Sequence, residues 1–106
     1  MFARSVSFHL KPGRAAEFTQ LIDKDIIPVL RKQKGFQDEI AFVAPGGVDA
    51  IGISVWDLKD SADAYAREAY PGVLKTLAQV VDGTPQVQTY EVTSSTFHKI
   101  AGRATA

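Results

Sequence analysis

The chain predicts one small α+β domain with the element order β-α-β-β-α-β. Three observations predict it. The first residues alternate apolar and polar with the two-residue period of a strand. Two helical stretches each follow a strand-like run. Between them a turn cluster, Pro45-Gly46-Gly47-Val48-Asp49, joins two further strand-like runs into a hairpin. At 106 residues there is room for one core.

Each element has its own signal. From Phe2 to Leu10, Val6, Phe8 and Leu10 point one way and Ser5, Ser7 and His9 the other. Pro12-Gly13 breaks that strand and opens a helix running from Arg14 to Lys34, with Phe18, Leu21, Ile22, Val29 and Leu30 as its apolar stripe. Pro28 deprives the Lys24 carbonyl of its donor and predicts a kink. Arg31, Lys32 and Lys34 suit the negative end of the helix dipole, and Gly35 is placed to cap it in the left-handed conformation. Phe36 to Ala44 and Ala50 to Asp57 are the hairpin strands. Asp57, Asp60 or Ser61 is expected to cap the next helix. Pro71-Gly72 divides that helical region into Ser61 to Tyr70 and a longer piece ending near Asp82-Gly83, faced by Leu74, Leu77, Ala78 and Val81. A last strand runs from Gln86 to about His98. The domain spans residues 1–100, and 101–106 form a tail expected to fray.

Composition excludes several classes of function. Twelve basic residues balance twelve acidic ones, so no net positive field draws in nucleic acid or an anionic membrane. The run Ile51-Gly52-Ile53-Ser54-Val55 lacks the aromatics of an RNA-reading sheet. There is no cysteine, which removes disulfides, thiolate metal sites and cysteine nucleophiles. No apolar run approaches a membrane span, and Met1 leads directly into a strand without a secretory pattern, so a cytoplasmic protein is expected.

Two β-α-β halves around a hairpin make the ferredoxin-like plan: an antiparallel sheet of order 4-1-3-2 with helices on one face. The apolar residues of strands one and three (Ile51, Ile53 and Val55 in the latter) are expected to lie under the helices. The other face would then carry Ser5, Ser7, His9, Gly52, Ser54 and Trp56. A tryptophan on an open sheet face predicts a partner that covers it.

Phe8-His9-Leu10-Lys11-Pro12-Gly13, Lys34-Gly35-Phe36 and Ser54-Val55-Trp56-Asp57 resemble the antibiotic biosynthesis monooxygenase-like family of the dimeric α+β barrel superfamily. The resemblance covers nearly the whole chain, to Tyr90-Glu91-Val92. It implies a homodimer that presses two open sheet faces together, and a small-molecule cavity in each half. Family members include cofactor-independent oxygenases of aromatic polyketides, haem-degrading enzymes, isomerases and proteins without known activity, so the fold does not select a chemistry. The haem-degrading branch uses an asparagine, a tryptophan and a histidine ligand at positions that fall near Val6, Tyr65 and Lys75, and none matches. No cofactor is expected.

The candidate site follows from the faces. Strands one and three are expected to run parallel, which puts His9 and Trp56 together at their C-terminal ends. His9 is then the candidate catalytic base for an aromatic hydroxyl, since histidine titrates near neutral pH, and Trp56 is a cavity wall. Ser7 and Ser54 are candidate hydrogen-bond donors to a ligand. Tyr65 and Tyr70 flank the closing helix, and tyrosines thereabouts meet substrate in the oxygenases that the chain resembles. Glu91, by its parity with Val87 and Thr89, is the candidate open-face carboxylate. No metal site is expected: the only histidines are His9 and His98, and His98 placed beside the start of strand one lies roughly 20–25 Å from His9 at ~3.3 Å per residue. The leading expectation is a small-molecule-binding homodimer that acts as a cofactor-independent monooxygenase. The alternative is a non-enzymatic metabolite-binding or regulatory dimerisation module.

Overall fold

In the computed structural model, which describes residues 1–100, strand β1 (Phe2–His9) leads into a long helical segment. That segment has three parts: α1 (Ala15–Leu21), a π-helical turn (Ile22–Ile26) and α2 (Ile27–Arg31). The hairpin of β2 (Phe36–Val43) and β3 (Asp49–Trp56) follows, then α3 (Lys59–Glu68), α4 (Tyr70–Leu77) and β4 (Gln86–Glu91). The strand order is β2-β3-β1-β4 with every neighbouring pair antiparallel, which is the ferredoxin-like α+β plan. Among the described residues no helix is long and apolar enough to cross a membrane.

The π-turn has a cause in the sequence. Phe18, Ile22, Ile26 and Leu30 are all buried, at a strict spacing of four. In an α-helix four residues overshoot one turn by about 40°, so this stripe would wind away from the sheet. The wider turn, in which the Ile27 N–H reaches the Ile22 carbonyl, returns the stripe to the sheet. Pro28 stands in the first turn of α2, directly after this wider turn. Gly35 takes φ +81° as the cap requires, and a Cβ there would collide with the Asp57 carboxylate and the Ser61 hydroxyl.

Four expectations are corrected. First, β1 and β3 are antiparallel, pairing Phe2 with Trp56 and His9 with Asp49. A helical crossover makes strand two parallel to strand one, and the tight hairpin then reverses strand three. Second, the faces of β3 are inverted. Ala50, Gly52, Ser54 and Trp56 lie under the helices, and Ile51, Ile53 and Val55 form the uncovered side. Third, β4 ends at Glu91, and His98 pairs with Asp38 on β2 instead of lying beside the start of β1. Fourth, no side chain caps α3; the Asp57 carboxylate accepts the Leu58 N–H instead. The expected tail 101–106 lies outside the described residues.

The core sits between the sheet and the helices. Its largest fully buried side chains are Trp56, Phe18, Leu10, Leu30, Leu77 and Val80. The other face of the sheet has no such cover. It exposes Ile40 and Phe42 from β2, Ile51 from β3 and Tyr90 from β4, with Phe42 beside Ile51 and Ile40 beside Ile53.

Candidate functional site

On its helix-facing side the sheet carries one polar row across otherwise apolar rows. Glu39 of β2 pairs with Ser54 of β3, Ser54 with Arg4 of β1, and Arg4 with Thr89 of β4. The next row is Ala41, Gly52, Val6 and Val87. A β-bulge between Phe36 and Asp38 sets this arrangement. It lets Phe36 face inward against Trp56 and still brings Glu39, three residues on, to the same side.

The polar row borders a cavity of about 30 Å³, which has room for a water or two. Arg4, Glu39, Ser54, Tyr65 and Tyr70 line it, and Val6, Ile22, Ile26 and Leu77 supply apolar wall. Gly52 makes part of the space: the Glu39 carboxylate stands 3.0 Å from the point a Cβ would occupy there.

Aromatic side chains fix the polar groups. The Trp56 ring stacks on Tyr65 at 5.0 Å between centroids, and its indole Nε1–H donates to the Ser54 hydroxyl at 2.9 Å. The Arg4 guanidinium lies 4.1 Å from the centre of the Tyr70 ring and 5.5 Å from that of Tyr65. Arg4 is only 6% exposed. Both distances are within cation–π range.

Burial sets the protonation states. Desolvation raises the Glu39 carboxyl from 4.5 to about 8. Desolvation likewise pushes the Tyr65 and Tyr70 hydroxyls above the ordinary phenol value, with Arg4 opposing the shift in each. At neutral pH the cavity therefore holds a neutral carboxyl able to exchange its proton, two neutral phenols and one guanidinium cation.

Of the residues singled out by sequence, Ser54, Tyr65 and Tyr70 meet in this cavity, and Trp56 joins them through Ser54 and Tyr65. Trp56 does so from the core, where it is fully buried, and not from an open face. His9 is elsewhere. It lies at the far end of the sheet from Trp56, exposed on the uncovered face, with Nδ1 3.3 Å from the Asp49 carboxylate. Ser7 shares that exposed face. Glu91 pairs with Phe2, so its parity puts it on the helix side, exposed at the end of the edge strand and outside the cavity lining. Arg4 and Glu39 are the residues that sequence reasoning missed. The signal for Arg4 was a charge at an inward position of β1, between Phe2 and Val6. Among the described residues no three of His, Asp and Glu gather to hold a metal ion.

No known family model and no curated protein matches the sequence. Solved structures do match in shape. A Streptomyces coelicolor monooxygenase, solved in complex with nanaomycin D, superposes with a TM-score of 0.75 at 14% identity, over 89% of this chain and 88% of that one. A Bordetella bronchiseptica protein that carries the antibiotic biosynthesis monooxygenase name gives 0.74 at 16% identity, over 87% and 96%. The chain shares its fold with these proteins. SnoaB, a cofactor-independent oxygenase from Streptomyces nogalater, has the same fold, with a TM-score of 0.72 at 16% identity, over 90% of this chain and 95% of its own. Identities this low carry the fold and leave the chemistry to the site.

Proposed function

We propose that the chain is a cytoplasmic homodimer that binds an aromatic or polyketide-like molecule in the cavity between helices and sheet and oxygenates it without a cofactor. The observation that supports this best is the polar row Glu39, Ser54 and Arg4 set among aromatic rings on an apolar sheet face. Two of the fold neighbours are named as a monooxygenase and a cofactor-independent oxygenase, which is consistent with it. The cavity as it stands is too small for such a body, so this reading requires α4, joined to α3 through the single residue Ala69, to move outward as the ligand binds.

The chemistry uses molecular oxygen as the oxidant. The ionised fraction of Glu39 takes the proton of a substrate phenol, and Arg4 holds the resulting phenolate. A group with a pKa near the working pH suits such a transfer. The electron-rich ring carbon gives an electron to O2 and recombines with it, forming a C–O bond and a peroxide anion, which takes the phenol proton back from Glu39 to become a hydroperoxide. The Glu39 carboxylate then removes the ring C–H proton, and that electron pair forms the carbonyl as the O–O bond breaks. The departing hydroxide takes this second proton from Glu39 and leaves as water. Phenol plus O2 thus becomes quinone plus water.

This reading moves the base from His9 to Glu39. Oxygen uptake on a panel of quinols and polyketide-like phenols should rise with pH through about 8, where Glu39 ionises. Glu39→Gln should lower turnover by roughly 10²–10⁴-fold, and His9→Ala should leave it unchanged. Equal turnover by wild type and Glu39→Gln would remove Glu39 from the mechanism. Ligand binding without any oxygen uptake would favour the non-enzymatic alternative.

The second copy is assigned to the uncovered face. Phe42 is 52% exposed and Ile51 40%, beside each other in a side of the sheet that no helix covers. Light scattering should find twice the 11.5 kDa chain mass. Phe42→Asp should give the single-chain mass, because it would bury an unpaired carboxylate in the interface. A wild-type chain that is monomeric at micromolar concentration contradicts the assignment.

A further inference from the structure

We infer that the cavity takes its ligand as an anion, with a carboxylate or enolate oxygen on Arg4 and a flat apolar body against the surrounding wall. The inference rests on the cavity being the ligand site and adds the charge that the ligand must carry.

Arg4 is almost wholly buried and lines the cavity, yet none of the ion pairs among the described residues involves it. Residues 101–106 add no acidic side chain that could serve. The other chargeable group of the polar row, Glu39, stands on the far side of Ser54. Its carboxyl is mostly neutral at pH 7, and the two tyrosines are neutral as well. One fixed positive charge is therefore held out of water with no anion to match it, an arrangement that is costly unless something else compensates.

The Tyr65 and Tyr70 ring faces compensate in part. They do so by attraction to the face of the ring, and the guanidinium also hydrogen-bonds the Tyr70 hydroxyl, so the remaining N–H groups of its in-plane fork are those offered to a ligand. That fork matches a carboxylate in bidentate geometry, and an enolate oxygen in single geometry. The apolar residues around it, among them Val6, Ile22 and Leu77, suit a flat hydrocarbon body and give no second cation that would call for a dianion. A monoanionic aromatic is the ligand class that fits both features.

The test is calorimetric, at pH 7, with two matched pairs of probes. The first pair is 1-naphthoate and the uncharged 1-naphthamide. The second is ionised 2-hydroxy-1,4-naphthoquinone and its uncharged methyl ether. Each anion should bind at least about tenfold tighter than its neutral partner, the usual worth of a charge-assisted hydrogen bond. A preference confined to one pair tells carboxylate from enolate, and either supports the inference. Arg4→Met should abolish the preference and Arg4→Lys should keep part of it, with circular dichroism confirming the fold of each. Equal affinities within both pairs would overturn the inference while leaving the cavity as the binding site. A preference that survives in folded Arg4→Met, or no binding by any of the four probes, counts against the inference and the cavity reading together.

Discussion

Trp56→Ala is expected to destabilise the chain by about 3–5 kcal/mol, the usual cost of deleting a buried aromatic side chain. Trp56 has no exposed surface, packs edge-on against Phe36, stacks on Tyr65 and donates to Ser54. A domain of this size has only about 5–15 kcal/mol in total. The variant should thus lie close to unfolding at 37 °C, with a much lower urea midpoint. Trp56→Phe should lose less, since a smaller ring keeps most of the packing but leaves the Ser54 hydroxyl without its donor. If Trp56 instead faced a second subunit, the loss would fall on the dimer constant and vary with protein concentration. A urea midpoint for Trp56→Ala close to that of the wild type would contradict its place in the core.

Glu39→Gln should change how stability depends on pH. The unfolded chain loses the Glu39 proton near 4.5 and the folded chain keeps it to about 8. Within that window the folded state binds more protons, so stability contributed at low pH is lost as pH rises through it. Above pH 8 the carboxylate is charged in both states, and the full desolvation penalty falls on the fold. Gln has nearly the same shape and never ionises. The variant should match the wild type near pH 4 and exceed it at pH 9 by roughly 2–4 kcal/mol, after allowance for the partial solvent access of Glu39. Parallel pH–stability curves for the two proteins, measured by urea unfolding, would show that Glu39 titrates as an ordinary surface carboxyl.

The element order and the strand order were legible in the sequence because turn residues and apolar periods mark them locally. The sides of strand three were not. Ile51, Ile53 and Val55 are more apolar than Ala50, Gly52 and Ser54, so hydropathy alone sends the first set inward. The fold does the opposite. The small residues face the helices, where Phe8, Val6 and Arg4 of β1 and the Trp56 ring take up the room, and the branched residues face outward. That inversion carried Trp56 to the wrong face and His9 into a site it does not share. It also changed the grounds for a dimer, which now rest on Ile40, Phe42 and Ile51.

The candidate site was legible in part. Tyr65 and Tyr70 entered from the family resemblance, and Ser54 entered through a mistaken face. Arg4 and Glu39 were hidden for different reasons. Arg4 looks like a surface charge until the alternation of β1 is followed back to Phe2. Glu39 is re-aimed by the bulge after Phe36, and an irregularity of one residue leaves no trace in the alternation that precedes it.

In the proposed function, ligand binds beneath the helices and not on the open face near His9. The chain has one tryptophan, so its amide spectrum holds one indole N–H peak, from the group that donates to Ser54 at the cavity. Titrating ionised 2-hydroxy-1,4-naphthoquinone into nitrogen-15-labelled protein should move that peak along one saturable curve, with the same dissociation constant in wild type and His9→Ala. A ligand that saturates the protein while the indole peak stays still, and whose binding is lost in His9→Ala, would contradict the account and return the site to the open face.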